Sequence, residues 1–248
     1  MGCREGSSGD ARQPHQVAAS RANDVSNGAR STHTANDNPS GIVCRDSVRR
    51  GGSIMPVASG ATLDPEHTKA KVLKAASELF YEHGVHRVGV NDIAARANAS
   101  KLSIYRYFHS KEGLVAAMLD QRSTRIHEWL AEQISDVDPG RARVLALFDR
   151  LIRWFGEDGY RGCIVVNTAI DTRARNGDVR EIAHNHLMRY RALLSQELAS
   201  VGVADADALA AQLLVLIEGA TITSAVEGTE RAGNDARRAA ETLLDAAV

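Results

Sequence analysis

Past Pro65 the chain holds one further proline, Pro139, and its apolar residues recur every three or four positions. That spacing fits helices rather than alternating strands. Val72, Leu73, Ala76, Leu79 and Phe80 fall at i, i+1, i+4, i+7 and i+8 and form one apolar stripe. Asp64 followed by Pro65 is a favourable helix start, because the carboxylate accepts a free backbone N–H and proline fills a position whose N–H has no partner anyway. Gly84 closes this first helix. The fold class this predicts is all-α.

The 248 residues allow one large domain or two modest ones, and 44% apolar with 25% charged residues is ordinary for a globular chain. None of the 11 aromatic residues precedes position 63, and the first leucine is Leu63. Glycine, serine and asparagine supply 21 of the first 62 residues, too little apolar surface to offset the entropy of ordering. Residues 1–62 are therefore expected to be a disordered tail, and Met55 is a candidate for the natural start. The net charge of -1 hides a split: residues 63–112 carry 8 basic and 6 acidic side chains, residues 113–248 carry 15 and 20. A positive module joined to a separate acidic body is a pattern suited to a polyanion partner.

Cys3, Cys44 and Cys163 are too few and too scattered for a disulfide framework or a zinc cluster, which points to a reducing, cytoplasmic setting. Leu209 to Val226 is the longest apolar stretch, but Gln212 and Glu218 interrupt it, so no membrane partner is expected. The amino terminus lacks the apolar core of a secretory signal.

A short second helix is expected from Asn91 as cap through Ala97, then a turn at Asn98 and Ala99. Asparagine suits that turn because it tolerates a left-handed backbone. Ser100 caps a third helix, Lys101 to about Phe108, and Ser110 a fourth that runs to about Asp136. Five more are expected at 141–157, 162–173, 178–200, 205–227 and 233–247. Two short helices joined by a tight turn behind a supporting helix make a helix-turn-helix, whose last helix can enter the DNA major groove. On the third helix Ile104 and Phe108 point one way, while Leu102, Tyr105, Arg106 and His109 point out with Lys101 nearby. Leucine and tyrosine are a poor solvated surface but suit thymine methyls and base edges. From Arg96 to Lys111 there are four basic residues, Arg96, Lys101, Arg106 and Lys111, and no acid.

The stretch VLKAASELFYEHGVHRVGVNDIAARANASKLSIYRYFHSKEGL, residues 72–114, resembles the DNA-binding region of TetR-family transcriptional regulators. Asn98 stands where the family usually has glycine, and Leu102 where a small residue or proline is common. Arg161-Gly162-Cys163 followed by Asn167 resembles, more loosely, one subgroup's regulatory half. The resemblance implies a helix-turn-helix DNA-binding domain at residues 63–112 and a helical effector-binding and dimerisation domain at 113–248. It implies base contacts from Lys101, Leu102 and Tyr105, phosphate contacts from Ser103, Tyr107 and Lys111, and either role for Arg106. Asn91 could offer its side chain and neighbouring N–H groups to a phosphate, since a helix amino terminus favours anions.

A single helix-turn-helix reads half a site, so a homodimer on a palindromic operator is expected, with repression the commoner outcome in the family. Leu209, Leu213, Leu216, Ile217 and Ala220 stripe one late helix, and Leu243 and Leu244 follow in the last. The resemblance suggests that these two helices pair with their copies, although the same stripes would serve equally as each subunit's own core. A small-molecule effector is expected between Arg141 and Ser200, with Phe148, Trp154, Phe155 and Tyr160 as apolar walls and Asn167 or Arg173 as polar anchors. Aromatic residues at helical spacing are more often core than ligand contacts.

Cys163 invites a redox-sensor reading, although single cysteines in helical bodies are mostly inert. His184 and His186 are two apart and would point to different sides of a helix, which argues against a metal site. No cofactor is expected. The rival classes are a helical protein-binding adaptor and a helical enzyme without a nucleotide loop, Gly-x-Ser-x-Gly elbow or His-Glu-x-x-His motif.

Overall fold

The computed structural model describes residues 64–171 and 177–247. The expected tail, Met55 and Arg173 lie outside the described residues, which are helical throughout and contain no strand. The helices are α1 (Pro65–His83), α2 (Val90–Ala97), α3 (Lys101–Phe108), α4 (Lys111–Gln133), α5 (Arg141–Phe155), α6 (Ile164–Asp171), α7 (Gly177–Ser200), α8 (Ala206–Glu227) and α9 (Arg231–Ala246).

Local chemistry sets most of the early boundaries. The Asp64 carboxylate accepts the Glu66 N–H at 3.0 Å, and Gly84, at φ +82°, donates its N–H to the Phe80 carbonyl. Ser100 and Ser110 cap α3 and α4, their hydroxyls accepting from Ser103 and Gly113 at 3.0 and 2.9 Å. Gly113 is needed for space, since a Cβ there would stand 2.2 Å from the Phe108 carbonyl oxygen. The second helix departs from expectation: Gly89, not Asn91, is its cap, because the Asp92 carboxylate reaches back to the Gly89 N–H at 2.8 Å. Asn91 becomes an exposed residue of the first turn. The fourth helix stops at Gln133, short of Asp136, and α9 begins at Arg231 rather than 233.

The apolar side chains form two cores. In the first, Val72, Phe80, Ile93, Ile104, Phe108 and Leu114 bind α1 to α4 together, and they are joined by Cys163 just ahead of α6 and by Val165, Val179 and Ala183 on α6 and α7. The second gathers Ile126, Leu130, Phe148, Leu151, Trp154, Leu194, Leu213 and Ile217. Helix α4 belongs to both, through Met118 and Leu119 in the first core and Ile126 and Leu130 in the second. A displacement of this helix therefore reaches both cores.

Helix α8 packs chiefly on α7 and α9. Leu209, Leu213, Ile217 and Ala220 lie buried in the second core with Leu244, while Leu216 and Leu243 are half-buried against it. The outward side of α8 carries a different stripe, Gln212, Val215, Gly219, Ile222 and Val226, with Val215 and Val226 71% and 82% exposed. Gln212 and Glu218 notwithstanding, α8 is the one helix among the described residues long and apolar enough to cross a membrane, and less than half of its most apolar window is buried.

Candidate nucleic-acid interface

Helices α2 and α3 meet at Asn98, whose φ of 49° and ψ of 48° are left-handed, and the turn is tied by the Ala99 N–H to the Ala94 carbonyl at 3.0 Å. Ile93 and Ile104, both fully buried, fix the two helices against α1 and α4. With Ile104 and Phe108 inward, α3 turns Leu102 and Tyr105 outward at 71% and 46% exposure, an unusual outlay of apolar surface on an eight-residue helix. Lys101, Arg106 and His109 are exposed beside them.

The other candidate contacts are more constrained. Ser103 is half-buried with its hydroxyl 2.8 Å from Ser100 Oγ, so it shares in the cap of α3. Tyr107 is half-buried with its ring edge-on to Phe108, and Lys111 is half-buried in the first turn of α4. Arg96 differs from its basic neighbours in being paired with Glu78 at 3.2 Å, which ties α2 to α1 and partly cancels its charge. Lys101, Arg106 and Lys111 therefore remain as the uncompensated positive groups of this segment among the described ion pairs.

The residues considered for an effector are dispersed. Phe148, Trp154 and Phe155 are buried in the second core. Half-buried Tyr160 lies against Trp154 and Phe155, with ring centroids 5.6 and 5.2 Å apart, and its hydroxyl donates to the Thr221 carbonyl at 3.3 Å. Asn167 is exposed and donates to the Arg161 carbonyl at 3.2 Å. It lines a surface cavity of about 220 Å³ between the end of α1 and α6, together with Tyr81, Arg161 and Asp171.

A polar seam that sequence inspection missed joins α4 to α7. Ser123 Oγ and His127 Nε2 lie 2.9 and 3.1 Å from His186 Nδ1, and His127 Nε2 is 3.0 Å from the His186 carbonyl. Cys163 Sγ is 3.4 Å from His186 Nε2. Burial first, then nearby positive groups, pushes His127 down to about 4 and His186 to about 3, so both rings are neutral near pH 7. Burial likewise pushes the Cys163 thiol up to about 11, away from the thiolate form that reacts. His127 and His186 are 59 positions apart, so no local spacing announces the seam. Next to it, Arg122 is buried with its guanidinium 5.5 Å from the Tyr81 ring centre, and burial lowers it to about 10.

The sequence model of bacterial regulatory proteins, tetR family, matches residues 72–118, and that of the tetracyclin repressor-like C-terminal domain matches residues 140–240. The transcriptional repressor NemR of Escherichia coli is 29% identical over 136 residues, 54% of this chain and 68% of NemR. The regulator TtgR of Pseudomonas putida is 35% identical over 95 residues, 36% of this chain and 45% of TtgR. Among solved structures, a TetR-type regulator from Streptomyces avermitilis is 29% identical with a TM-score of 0.64, covering 73% of this chain and 97% of that one. A TetR-family regulator from Streptomyces coelicolor shares the fold at 24% identity and a TM-score of 0.68, covering 73% of this chain and 96% of that one. The fold thus defines a helix-turn-helix head on a helical body. The chain belongs to the TetR family of transcriptional regulators, whose members are regulators rather than enzymes.

Proposed function

We propose that this regulator binds a palindromic operator as a homodimer and represses transcription until a small molecule occupies its body. In this reading residues 63–112 serve as the DNA-binding domain and residues 113–248 as the regulatory and dimerising one. The observation that carries it is the outward face of α3, where Leu102 and Tyr105 stand exposed among Lys101, Arg106 and Lys111. Lys101, Leu102 and Tyr105 meet base edges. Ser103, Tyr107 and Lys111 hold phosphates, Arg106 serves either, and Asn91 presents the first turn of α2 to the backbone.

Two such faces must stand about 34 Å apart to read successive turns of one side of the duplex. The outward stripe of α8, with the half-buried Leu216 and Leu243, supplies an apolar surface on which two copies can pair. Leu209, Leu213, Ile217, Ala220 and Leu244 act from beneath as the packing that holds this surface in shape. Release by an effector follows if the ligand prefers an arrangement in which α4 sets the heads at the wrong spacing. An operator-binding protein of this kind works in the cytoplasm.

Binding sites selected from random duplexes and titrated by fluorescence anisotropy test the reading. With three or four phosphate contacts per half, log affinity should fall against log salt with a slope of roughly -5 to -7. Tyr105→Ala with Lys111→Ala should weaken the dimer's operator binding by about 100-fold or more, since each loss occurs twice. Unchanged affinity in that variant, with its helix content intact, removes α3 as the reading element.

A further inference from the structure

The cavity between the end of α1 and α6 stands apart from the second core, and Phe148, Trp154, Phe155 and Tyr160 do not line it. Part of its lining is apolar, with Phe80 and Ile164 buried and Val85 half-buried beside them. The polar part is rich in donors. The Tyr81 hydroxyl accepts the Arg161 backbone N–H at 2.8 Å, yet its own O–H has no acceptor among the described residues, although Tyr81 is only 7% exposed. An O–H kept from water without an acceptor is costly, so this proton favours a bound one. The Asn167 amide gives one N–H to the Arg161 carbonyl at 3.2 Å and keeps the other. The exposed Arg161 guanidinium enters no ion pair among the described residues. Behind the Tyr81 ring, 5.5 Å from its centre, the Arg122 guanidinium adds a second positive charge. The one carboxylate of the lining, Asp171, ends α6 roughly 10 Å along the axis from Ile164 and already lies 2.9 Å from His86 Nε2.

We propose that this cavity binds a small aromatic carboxylic acid, its carboxylate on the Arg161 guanidinium and the Tyr81 hydroxyl and its ring against Phe80, Val85 and Ile164. The site goes beyond the effector reading, since it lies where α1 of the head meets α6 and needs neither the second core nor DNA. An acid is favoured over an amine because Asp171 has His86 as a partner, whereas Arg161 has no acid among the described residues. A guanidinium presents parallel N–H groups that match the two oxygens of a carboxylate. The apolar side chains favour an acid with a ring over a bare inorganic anion, whose hydration they would strip without return. Size limits the ring to one: about 220 Å³ is the space of about seven waters at ~30 Å³ each. That is less than the roughly 300–1,000 Å³ of a site for drug-sized ligands.

The test uses the full chain without DNA at neutral pH and three probes of one ring shape followed by fluorine NMR line broadening: 4-fluorobenzoate, the cation of 4-fluorobenzylamine, and neutral 4-fluorobenzyl alcohol. The benzoate should bind with a Kd of roughly 1 mM or tighter and at least about fivefold tighter than the alcohol, with the amine weakest. Arg161→Gln should erase the preference for the acid while circular dichroism stays as in the parent. Should that variant fold poorly, Tyr81→Phe decides, since it keeps the ring, removes the hydroxyl and should weaken the acid more than the alcohol. Equal binding of acid and alcohol, tightest binding of the amine through Asp171, or displacement of the acid by equimolar sulfate each overturns the proposal. So does a preference for the acid that survives in the variants, which would place it elsewhere on the chain, and so does no binding up to about 10 mM. Operator binding is measured separately without probe, so failure here leaves the DNA-binding reading standing, and failure there leaves this one.

Discussion

The two cores of this molecule differ in how far along the chain their polar groups find partners. Around the first, the helix caps are met close by in sequence: Asp64, Asp92, Ser100 and Ser110 each satisfy a backbone N–H two or three residues away, while Tyr81 accepts the Arg161 N–H from 80 positions on. Four buried side-chain atoms have no hydrogen-bond partner among the described residues: Arg122 Nε lies beside the first core, against Tyr81, Trp154 Nε1 in the second, and Glu218 Oε2 and Ser224 Oγ on α8. Around the second, polar partners come from far along the chain, as in Arg143 with Glu197 at 3.0 Å and Arg237 with Asp149 at 2.6 Å. Glu197 also accepts the Gly140 N–H at 2.9 Å, where a Cβ on Gly140 would collide with Val201 at 2.2 Å. Under the proposed function a reading head profits from rigid, locally satisfied helices, which hold its contacts in place.

The sharpest way to break this division lies in α8, whose two faces are assigned opposite tasks. Leu213 is fully buried, so Leu213→Ala should cost about 3 kcal/mol in chemical denaturation through lost burial and the cavity left behind. Ile222 is 47% exposed on the outer stripe, so Ile222→Asp should instead weaken self-association by at least about tenfold in sedimentation experiments while leaving helix content alone. An Ile222 variant that associates normally would move the pairing surface off this face.

The histidine seam offers the next largest effect. Both rings ionise far lower folded than at the ordinary 6.5, so the unfolded chain takes up protons first as pH falls. The stabilisation is present above pH 6.5 and is lost as pH drops toward 4, amounting to about 2 kcal/mol for each ring between pH 7 and pH 5. Glu218 acts in the opposite sense, since its raised value makes the folded chain hold a proton that the unfolded one releases between 4.5 and about 7. Urea midpoints across that range should therefore fall with acid more steeply in Glu218→Gln than in the parent. A midpoint independent of pH in that variant would mean that the rings are not held neutral.

What could be read from the sequence follows the same division. The caps at Asp64, Ser100 and Ser110, the turn at Asn98 and the inward pair Ile104 and Phe108 are local consequences of residue type and spacing, and the structure has them. Asn91 was misplaced as a cap because Asp92 competes for the same N–H and wins by reaching Gly89. On α8 periodicity could not choose a face, since Leu213, Leu214, Val215, Leu216 and Ile217 are apolar in succession. Only packing on α7 and α9 decides which of them point inward. Glu218, read as an interruption of an apolar run, was the one local sign of the unpaired polar group beneath.

The smallest effect bears on whether the head is set locally at all. Asn98 sits at φ 49°, where a residue with an ordinary side chain is strained, and is exposed, so few tertiary contacts hold it there. Asn98→Ala should cost about 1 kcal/mol, because alanine lacks the tolerance of asparagine for that region. Asn98→Gly should change stability by less than about 0.5 kcal/mol, since the relief of strain is offset by the larger freedom glycine loses on folding. Chemical denaturation of the three proteins reads this ordering directly. If alanine proves neutral, the angle between α2 and α3 is imposed by Ile93, Ala97 and Ile104 packing on α1 and α4, and the head is then held by long-range contacts just as the body is.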